Sequence, residues 1–138
     1  MGRGRRTGAV VSMLALGVAG IALRRGLMRV RGLSMRPTLH EGDLVLTLPL
    51  PPASTDGPLA GPAGALRRRL VRPGALVVLS EPGEREHRII KRVGTVDDDG
   101  VEVLGDDPGW SIDSRTFGAV PHRDVRRLVL GRVPLPRR

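Results

Sequence analysis

Lys91 is the residue whose type stands out most clearly in this chain. It is the only lysine among 23 Lys and Arg residues, and it lies in the segment HRIIKRVGTV at residues 87–96. Arginine serves surface charge and ion pairs as well as lysine does, but only an amine can lose its proton near neutral pH. In a strand, Lys91 would share a face with apolar Ile89 and Val93, and burial there would lower the pKa of the amine. The residue type therefore indicates a general base, with chance retention of one lysine under codon bias as the alternative.

A serine in another segment could be the nucleophile for such a base. Ser34 lies in GLSMRPTLHEGDLVL, residues 32–46. A serine hydroxyl needs a base before it can attack a carbonyl carbon. The conventional candidates are His40, His87 and His122, but none has a nucleophile elbow or triad context beside it, so we interpret them as surface or loop residues. A serine paired with a neutral lysine is a known alternative for acyl transfer.

The N-terminal segment carries most of the net charge of +9. Residues 1–36 contain eight Arg and no acidic residue, and these arginines flank an apolar run at residues 9–23, which is typical of a membrane anchor. Fifteen helical residues extend only about 22 Å, which is short of a hydrocarbon core of about 30 Å. We therefore expect the helix to run on through Leu27 and Met28, with Arg24 and Arg25 snorkelling to the interface. A cleavable signal peptide is the alternative.

Composition excludes or disfavours several classes of function. The chain has no Cys, so disulfides, thiolate metal sites and cysteine nucleophiles are excluded. Residues 37–138 are almost neutral, with 15 basic and 14 acidic residues, and the chain has one Trp, one Phe and no Tyr, which argues against a nucleic-acid partner. More Arg residues follow the apolar run than precede it, so the positive-inside rule alone would place the rest of the chain in the cytoplasm. From the residues alone, sidedness stays open.

The elements that must position Ser34 and Lys91 are short and mostly β. Runs rich in Val, Leu and Ile, separated by Gly and Pro, predict strands at residues 44–48, 75–79, 88–96, 101–104 and 128–133. Residues 49–73 are rich in Pro, Ala and Gly and predict a flexible excursion, with one short helical turn around residues 65–70. We expect a basic segment and membrane anchor in residues 1–31, followed in residues 32–138 by a mostly β domain, a small antiparallel barrel or sandwich.

Four blocks of sequence resemble the type I signal peptidases, the Ser/Lys leader peptidase family. They are GLSMRPTLHEGD at residues 32–43, RPGALVVL at residues 72–79, HRIIKRVGTV, and GDDPGWSIDSRTFG at residues 105–118. Their order and spacing are those of the family, and the likeness is to its small Gram-positive and mitochondrial inner-membrane branches. The resemblance implies a serine endopeptidase that needs no metal or cofactor. It also implies a single-pass protein of the cell membrane, with its catalytic domain on the exported side, that removes signal or leader peptides after small residues at the −1 and −3 positions.

The same resemblance suggests roles for individual residues. By it, Ser34 is the nucleophile, Lys91 the general base, and Ser111 the hydroxyl that orients the lysine amine. The backbone N–H of Ser34 is the expected oxyanion donor. Gly32 stands where some members carry a second, hydroxyl donor.

Three further residues are expected to support the site. Asp113 and Arg115 should pair and hold the loop that bears Ser111, and Met35 should pack beneath the substrate cleft. The partners expected are signal or leader peptides of exported proteins and the lipid bilayer, with no nucleic acid.

Two alternative functions stay open at this level. One is a dedicated maturation protease for a single exported protein, similar to the leader proteases of nickel superoxide dismutase. The other is a non-catalytic, membrane-tethered β-domain that binds exported segments, which is suggested by departures from the family pattern at Ala75 and Asp107.

Overall fold

The computed structural model describes residues 26–54 and 57–136, together with Gly17 and Gly20. Its main element is one antiparallel sheet of six strands. The strands are β1 (Leu27–Arg29), β2 (Leu44–Pro49), β3 (Leu76–Glu81), β4 (Glu84–Val96), β5 (Val101–Leu104) and β6 (Val125–Val133). The helices are α1 (Gly61–Leu70) and α2 (Ser114–Phe117), with 3-10 turns at Pro108–Trp110 and His122–Asp124.

The strand order in the sheet is β1-β2-β6-β3-β4-β5. Strand β3 is central, and Val77, Val78 and Leu79 are completely buried. The long strand β4 pairs with β3 up to Arg92 and with β5 from Arg92 onward. Its first half therefore has one edge without a strand partner among the described residues.

The predicted mostly β, antiparallel fold is confirmed in its class. The expected barrel or sandwich is not found in the described part of the chain, because the end strands β1 and β5 pair only with β2 and β4, and one open sheet results. All five predicted strands are present; β5 has the predicted bounds, and β2, β3, β4 and β6 are longer than expected.

One prediction at the start of the sheet is wrong. Leu27 and Met28 do not continue an anchor helix, since they form β1, whose partners in β2 are Leu46 and Val45. The sheet therefore begins inside the segment 1–31 that the sequence assigned to the anchor. The predicted anchor at residues 9–23 lies outside the described residues, except for Gly17 and Gly20. Within the described ranges, no helix has the length and apolar character needed to cross a bilayer.

Alternation of side chains along β3 divides the core into two clusters on opposite faces of the sheet. Val77 and Leu79 belong to one cluster with residues of β4, β5 and β6, while Val78 belongs to the other with Met35 and Leu39. The segment that carries Ser34 is thus packed onto one face of the sheet.

Helix α1 lies in the Pro/Ala/Gly-rich segment and is longer than the predicted turn. Arg67 of this helix is buried, with 2% of its surface exposed, although arginine is usually found at the protein surface. Its guanidinium donates hydrogen bonds to the carbonyl oxygens of Pro51, His122 and Val125. These bonds fix α1 to the start of β6.

Candidate active site

Lys91 is buried in the middle of β4, opposite Val77 of β3, and only 3% of its surface is exposed. Burial lowers the pKa of its amine below the ordinary value. The negative charges of Asp113 and Glu81 oppose this effect, and the positive charge of Arg115 adds to it. The site therefore favours the neutral amine more than water does.

A chain of hydrogen bonds leads from this amine to an ion pair. Lys91 Nζ lies 3.0 Å from Ser111 Oγ, and Ser111 Oγ donates to Asp113 Oδ2 at 2.7 Å. Asp113 is fully buried and is held by Arg115, whose Nη2 lies 2.5 Å from Asp113 Oδ2, and by the backbone N–H of Gly105 at 2.8 Å. The hydrogen bonds from Arg115 keep the pKa of Asp113 well below its usual range. Asp113 is thus an anion with a full set of donors.

Ser34 joins this network through its main chain. Its carbonyl oxygen accepts a hydrogen bond from Asp107 N at 2.8 Å. A Cβ placed on Gly105 would lie 2.8 Å from that same oxygen and 2.0 Å from Ser111 Oγ, so Ser34 and Ser111 both approach the Cα of Gly105. No hydrogen bond joins Ser34 Oγ to Lys91 Nζ, and in the described part of the chain the Ser34 N–H donates to no other group.

A second hydrogen-bond network joins the segments that carry Ser34, Lys91 and Ser111. The sequence did not predict it. Arg92, which follows Lys91, binds Asp106 through two bonds of 2.7 Å, from Nε to Oδ1 and from Nη2 to Oδ2. Thr38 Oγ1 donates to Asp106 Oδ2 at 2.6 Å. Arg92 holds the pKa of Asp106 below its usual range. The only sequence signal for this network is its position, since Arg92 and Asp106 lie within the blocks of sequence that contain Lys91 and Gly105.

A groove of about 360 Å³ begins at Ser34. One wall is formed by residues 28–35, including Gly32 and Met35, and the other by residues 86–90 of β4. Met35 is buried in the core cluster beneath it, and Gly32 has a φ of 82° that side chains rarely adopt. One wall is an edge of β4 that no described strand pairs with, and the other runs from the end of β1 into the turn that carries Ser34, so an extended peptide could lie between them.

The three histidines do not contact Lys91 or Ser111. His40 and His87 are exposed, and His122 is a buried residue of the 3-10 turn before β6, with Nε2 2.6 Å from Asp97 O. His87 also lies close to Glu81 and Glu84, and these are the described residues with a metal-ligand arrangement. A hydrogen bond between His87 Nδ1 and Glu81 Oε2 accounts for that contact.

The fold and site define a class of protein: a β-sheet protein with a buried lysine beside two serine-bearing loops, one of which borders a groove open to an extended chain. The family model for signal peptidases, peptidase S26, matches residues 5–103, and the chain belongs to this family. It is accordingly a serine peptidase of the signal peptidase type, whose class of substrate is the signal peptides of exported proteins. Ser34 and Lys91 lie within the matched residues, whereas Ser111, Asp113 and Arg115 lie beyond them.

No curated protein and no solved structure matches the chain significantly.

Proposed function

We propose that this chain is a membrane-anchored endopeptidase in which Ser34 and Lys91 form a catalytic dyad that cleaves signal or leader peptides. The observation that carries the proposal is the buried amine of Lys91, hydrogen-bonded to Ser111 Oγ, which lies with the Ser34 carbonyl oxygen against Gly105. Arginine could replace lysine in an ion pair, but it could not serve as a base at this position.

The direction of the hydrogen bonds leaves the lone pair of a neutral amine free. Ser111 Oγ donates its single proton in the hydrogen bond to Asp113, so it must accept the hydrogen bond from Lys91 Nζ. A neutral amine that donates one N–H to Ser111 keeps its lone pair for another partner. Ser111 is therefore a positioning residue, which turns the lone pair of Lys91 toward a substrate-bound Ser34 hydroxyl.

In the proposed reaction, Lys91 Nζ takes the proton of Ser34 Oγ while this oxygen bonds to the carbonyl carbon before the scissile bond. The free N–H of Ser34 donates to the oxyanion that develops. Lys91 then gives its proton to the leaving amine, the C–N bond breaks, and an acyl ester on Ser34 remains. Water, deprotonated by the same lysine, hydrolyses this ester and restores the dyad.

The groove gives the substrate its position. A peptide in extended conformation would form backbone hydrogen bonds with the open edge of β4 on one side and with residues 28–32 on the other. The scissile carbonyl would then lie at Ser34, at the end of the groove. Backbone pairing on both sides of the groove would fix the register of the peptide more firmly than pairing with β4 alone.

The proposed anchor supports the same reaction. The apolar run at residues 9–23 ends only a few residues before the first strand, so an anchored chain would hold Ser34 close to the bilayer surface. Signal peptides are themselves apolar and lie at that surface before cleavage. We place the domain on the exported side, where such cleavage sites emerge.

Cleavage of a fluorogenic peptide with small residues at −3 and −1 tests the dyad. The Ser34→Ala and Lys91→Arg variants should each lose activity by about 10⁴-fold or more. Lys91→Met, which tolerates burial, should be folded and equally inactive, and Arg123→Lys on the exposed surface is the matched control and should be fully active. Activity retained in a folded Lys91→Arg protein would exclude the dyad.

A dedicated maturation protease is the second candidate, because the described domain is small and only two short segments line its groove. Comparison of exported-protein N-termini from cells with and without this protein separates the two. One altered N-terminus supports the dedicated enzyme, and many support general processing. A wild-type protein that binds the peptide without cutting it would instead be the non-catalytic domain.

A further inference from the structure

A small cavity at the surface of the sheet is lined almost entirely by arginine. Its volume is about 230 Å³, and its lining residues are Ser80, Arg85, Arg88, Arg126 and Arg127. Within the described residues, no carboxylate lines this cavity. Four arginines thus line one space to which the lining contributes no negative charge.

The donors around this Arg cavity are largely unused. The side chains of Arg85, Arg88 and Arg126 make no hydrogen bond or ion pair with any described residue, and Arg127 uses two of its N–H groups on Thr47. The hydroxyl of Ser80 has no hydrogen-bond partner within the described ranges, although only 7% of this residue is exposed. A hydroxyl without a protein partner in a residue that is 7% exposed, together with four arginines around one space, is the set of groups expected around an oxyanion such as a phosphate.

Hydrogen bonds place the Arg cavity at the point where the N-terminal segment enters the domain. Arg127 Nε donates to Thr47 Oγ1 at 2.7 Å, and Thr47 Oγ1 donates to Gly26 O at 2.7 Å. In the sequence, Gly26 is three residues past the end of the apolar run at Leu23. Arg88 also lines the groove that begins at Ser34, so the Arg cavity and the groove are neighbours.

We propose that the Arg cavity binds the phosphate group of an anionic phospholipid. This inference rests on the membrane anchoring in the proposed function, because an anchored chain brings Gly26, and with it the cavity, to the level of the lipid headgroups. Arginine forms two-pronged hydrogen bonds with phosphate oxygens, and the attraction is strengthened where the donors are partly withdrawn from water. A bound headgroup would hold the neighbouring groove against the bilayer, in a fixed orientation.

Native mass spectrometry of the full chain in detergent micelles tests the inference. The probes are phosphatidylglycerol and phosphatidylcholine with the same acyl chains, both on the Ser34→Ala background, so that no result depends on cleavage. The test variant is Arg85→Gln with Arg126→Gln. The matched control is Arg68→Gln with Arg123→Gln, which removes the same charge at exposed sites away from the cavity.

Phosphatidylglycerol should remain bound to the parent and to the control, and the test variant should bind it at least tenfold more weakly. Phosphatidylcholine should be retained poorly by all three proteins. Equal weakening in the test and control variants would overturn the proposal, as would equal retention of both lipids. Inorganic phosphate is added in a separate arm, and if it displaces the lipid at millimolar concentration the site is a free-phosphate site, which contradicts a lipid ligand. If the protein in cells does not fractionate with membranes, the proposed anchor is refuted. The micelle measurement reports only on lipid binding at the Arg cavity, so the two failures can be told apart.

Discussion

At the scale of single residues, the pKa of Lys91 depends on how the charge of Asp113 is compensated. A buried carboxylate near a lysine would normally stabilise the ammonium form and raise its pKa. Here Arg115 binds Asp113 directly, and its positive charge acts on Lys91 in the opposite direction. The Ser111 hydroxyl also separates the amine from the carboxylate. The arrangement gives Lys91 a fixed hydrogen-bond acceptor without giving it a full counterion.

The pH dependence of cleavage should report the proton on Lys91. Because the base must be neutral, kcat/KM should rise with pH and reach its plateau below the ordinary pKa of lysine, since burial lowers the pKa of Lys91. The charge of Glu81 raises this pKa, so Glu81→Gln should move the rising limb to lower pH and increase activity at neutral pH.

The matched control for Glu81→Gln is Asp98→Asn, which removes an exposed negative charge from the turn between β4 and β5. Its profile should coincide with that of the wild type. A profile that does not respond to Glu81→Gln, or that moves to higher pH, would contradict the assignment of the rising limb to Lys91.

Residue types alone were sufficient to single out Ser34 and Lys91 as a candidate nucleophile and base, because an isolated amine and a serine in a turn are visible in the sequence; their chemistry stays a prediction. The pairing of Arg92 with Asp106 was not predictable in this way. Arginine and aspartate are ordinary surface residues, and their partners are fixed only when β4 and the loop after β5 come together. The resemblance to a family supplied Ser111, which composition and spacing would not have identified.

At the scale of elements, the loop after β5 positions the site through close contacts around Gly105. The backbone of this residue donates to Asp113 and lies against both Ser34 O and Ser111 Oγ. Gly105→Ala would place a methyl group where these oxygens are, and either serine would have to move. Displacements of about 1 Å can lower a catalytic rate about 100-fold, so we expect a loss of at least this size in kcat for peptide cleavage.

Gly109→Ala is the matched control on the same loop. A Cβ at this position would lie 3.6 Å from Asp107 Oδ1, which is an ordinary contact, so activity should change little. Thermal unfolding of both variants should be compared with that of the wild type. Near-normal kcat in a folded Gly105→Ala protein would show that the loop does not position the serines as proposed.

Two elements illustrate why the fold was only partly predictable. Strand β5 was predicted correctly because Val101, Val103 and Leu104 form a short apolar run between two glycines. Strand β1 was missed because three residues are too few to show a period, and its conformation is determined by pairing with β2. The buried position of Arg67 likewise depends on carbonyl groups that are distant in the sequence.

The stability of the domain should depend on Arg67 more than on its neighbours in α1. Arg67→Ala would remove a donor from two buried carbonyl oxygens and one partly buried one, of which His122 O would keep the N–H of Val125, and each group left unsatisfied costs about 1 to 3 kcal/mol. We expect urea denaturation to show a loss of about 3 kcal/mol or more in the free energy of unfolding. Arg68→Ala, at an exposed position one residue later, should change this free energy by less than about 0.5 kcal/mol. Equal losses in both variants would contradict a clamp specific to Arg67.

At the scale of the whole molecule, the proposed anchor, the Arg cavity and the catalytic loop must all suit one orientation at a bilayer. Trp110 and Ile112 flank Ser111 and are 67% and 66% exposed, the highest values among the large apolar residues that the structure describes. Tryptophan favours the interface between lipid and water, because its ring is apolar and its N–H can donate a hydrogen bond. We therefore expect the loop that bears Ser111 to enter the headgroup region when the full chain is anchored.

The fluorescence of Trp110 measures this directly, because it is the only tryptophan in the chain. In vesicles that contain the full protein, its emission should shift to shorter wavelength than in a non-lipid detergent control and should be quenched by lipids with a spin label near the headgroup. Ile112→Ser should reduce the quenching, because it removes an apolar contact beside Trp110. Leu130→Ser, at an exposed apolar position in β6, should not reduce it. The expectation is wrong if Trp110 is quenched by a water-soluble quencher and does not respond to spin-labelled lipid. The anchored domain would then turn its catalytic loop away from the membrane. A substrate would have to leave the bilayer surface to reach Ser34.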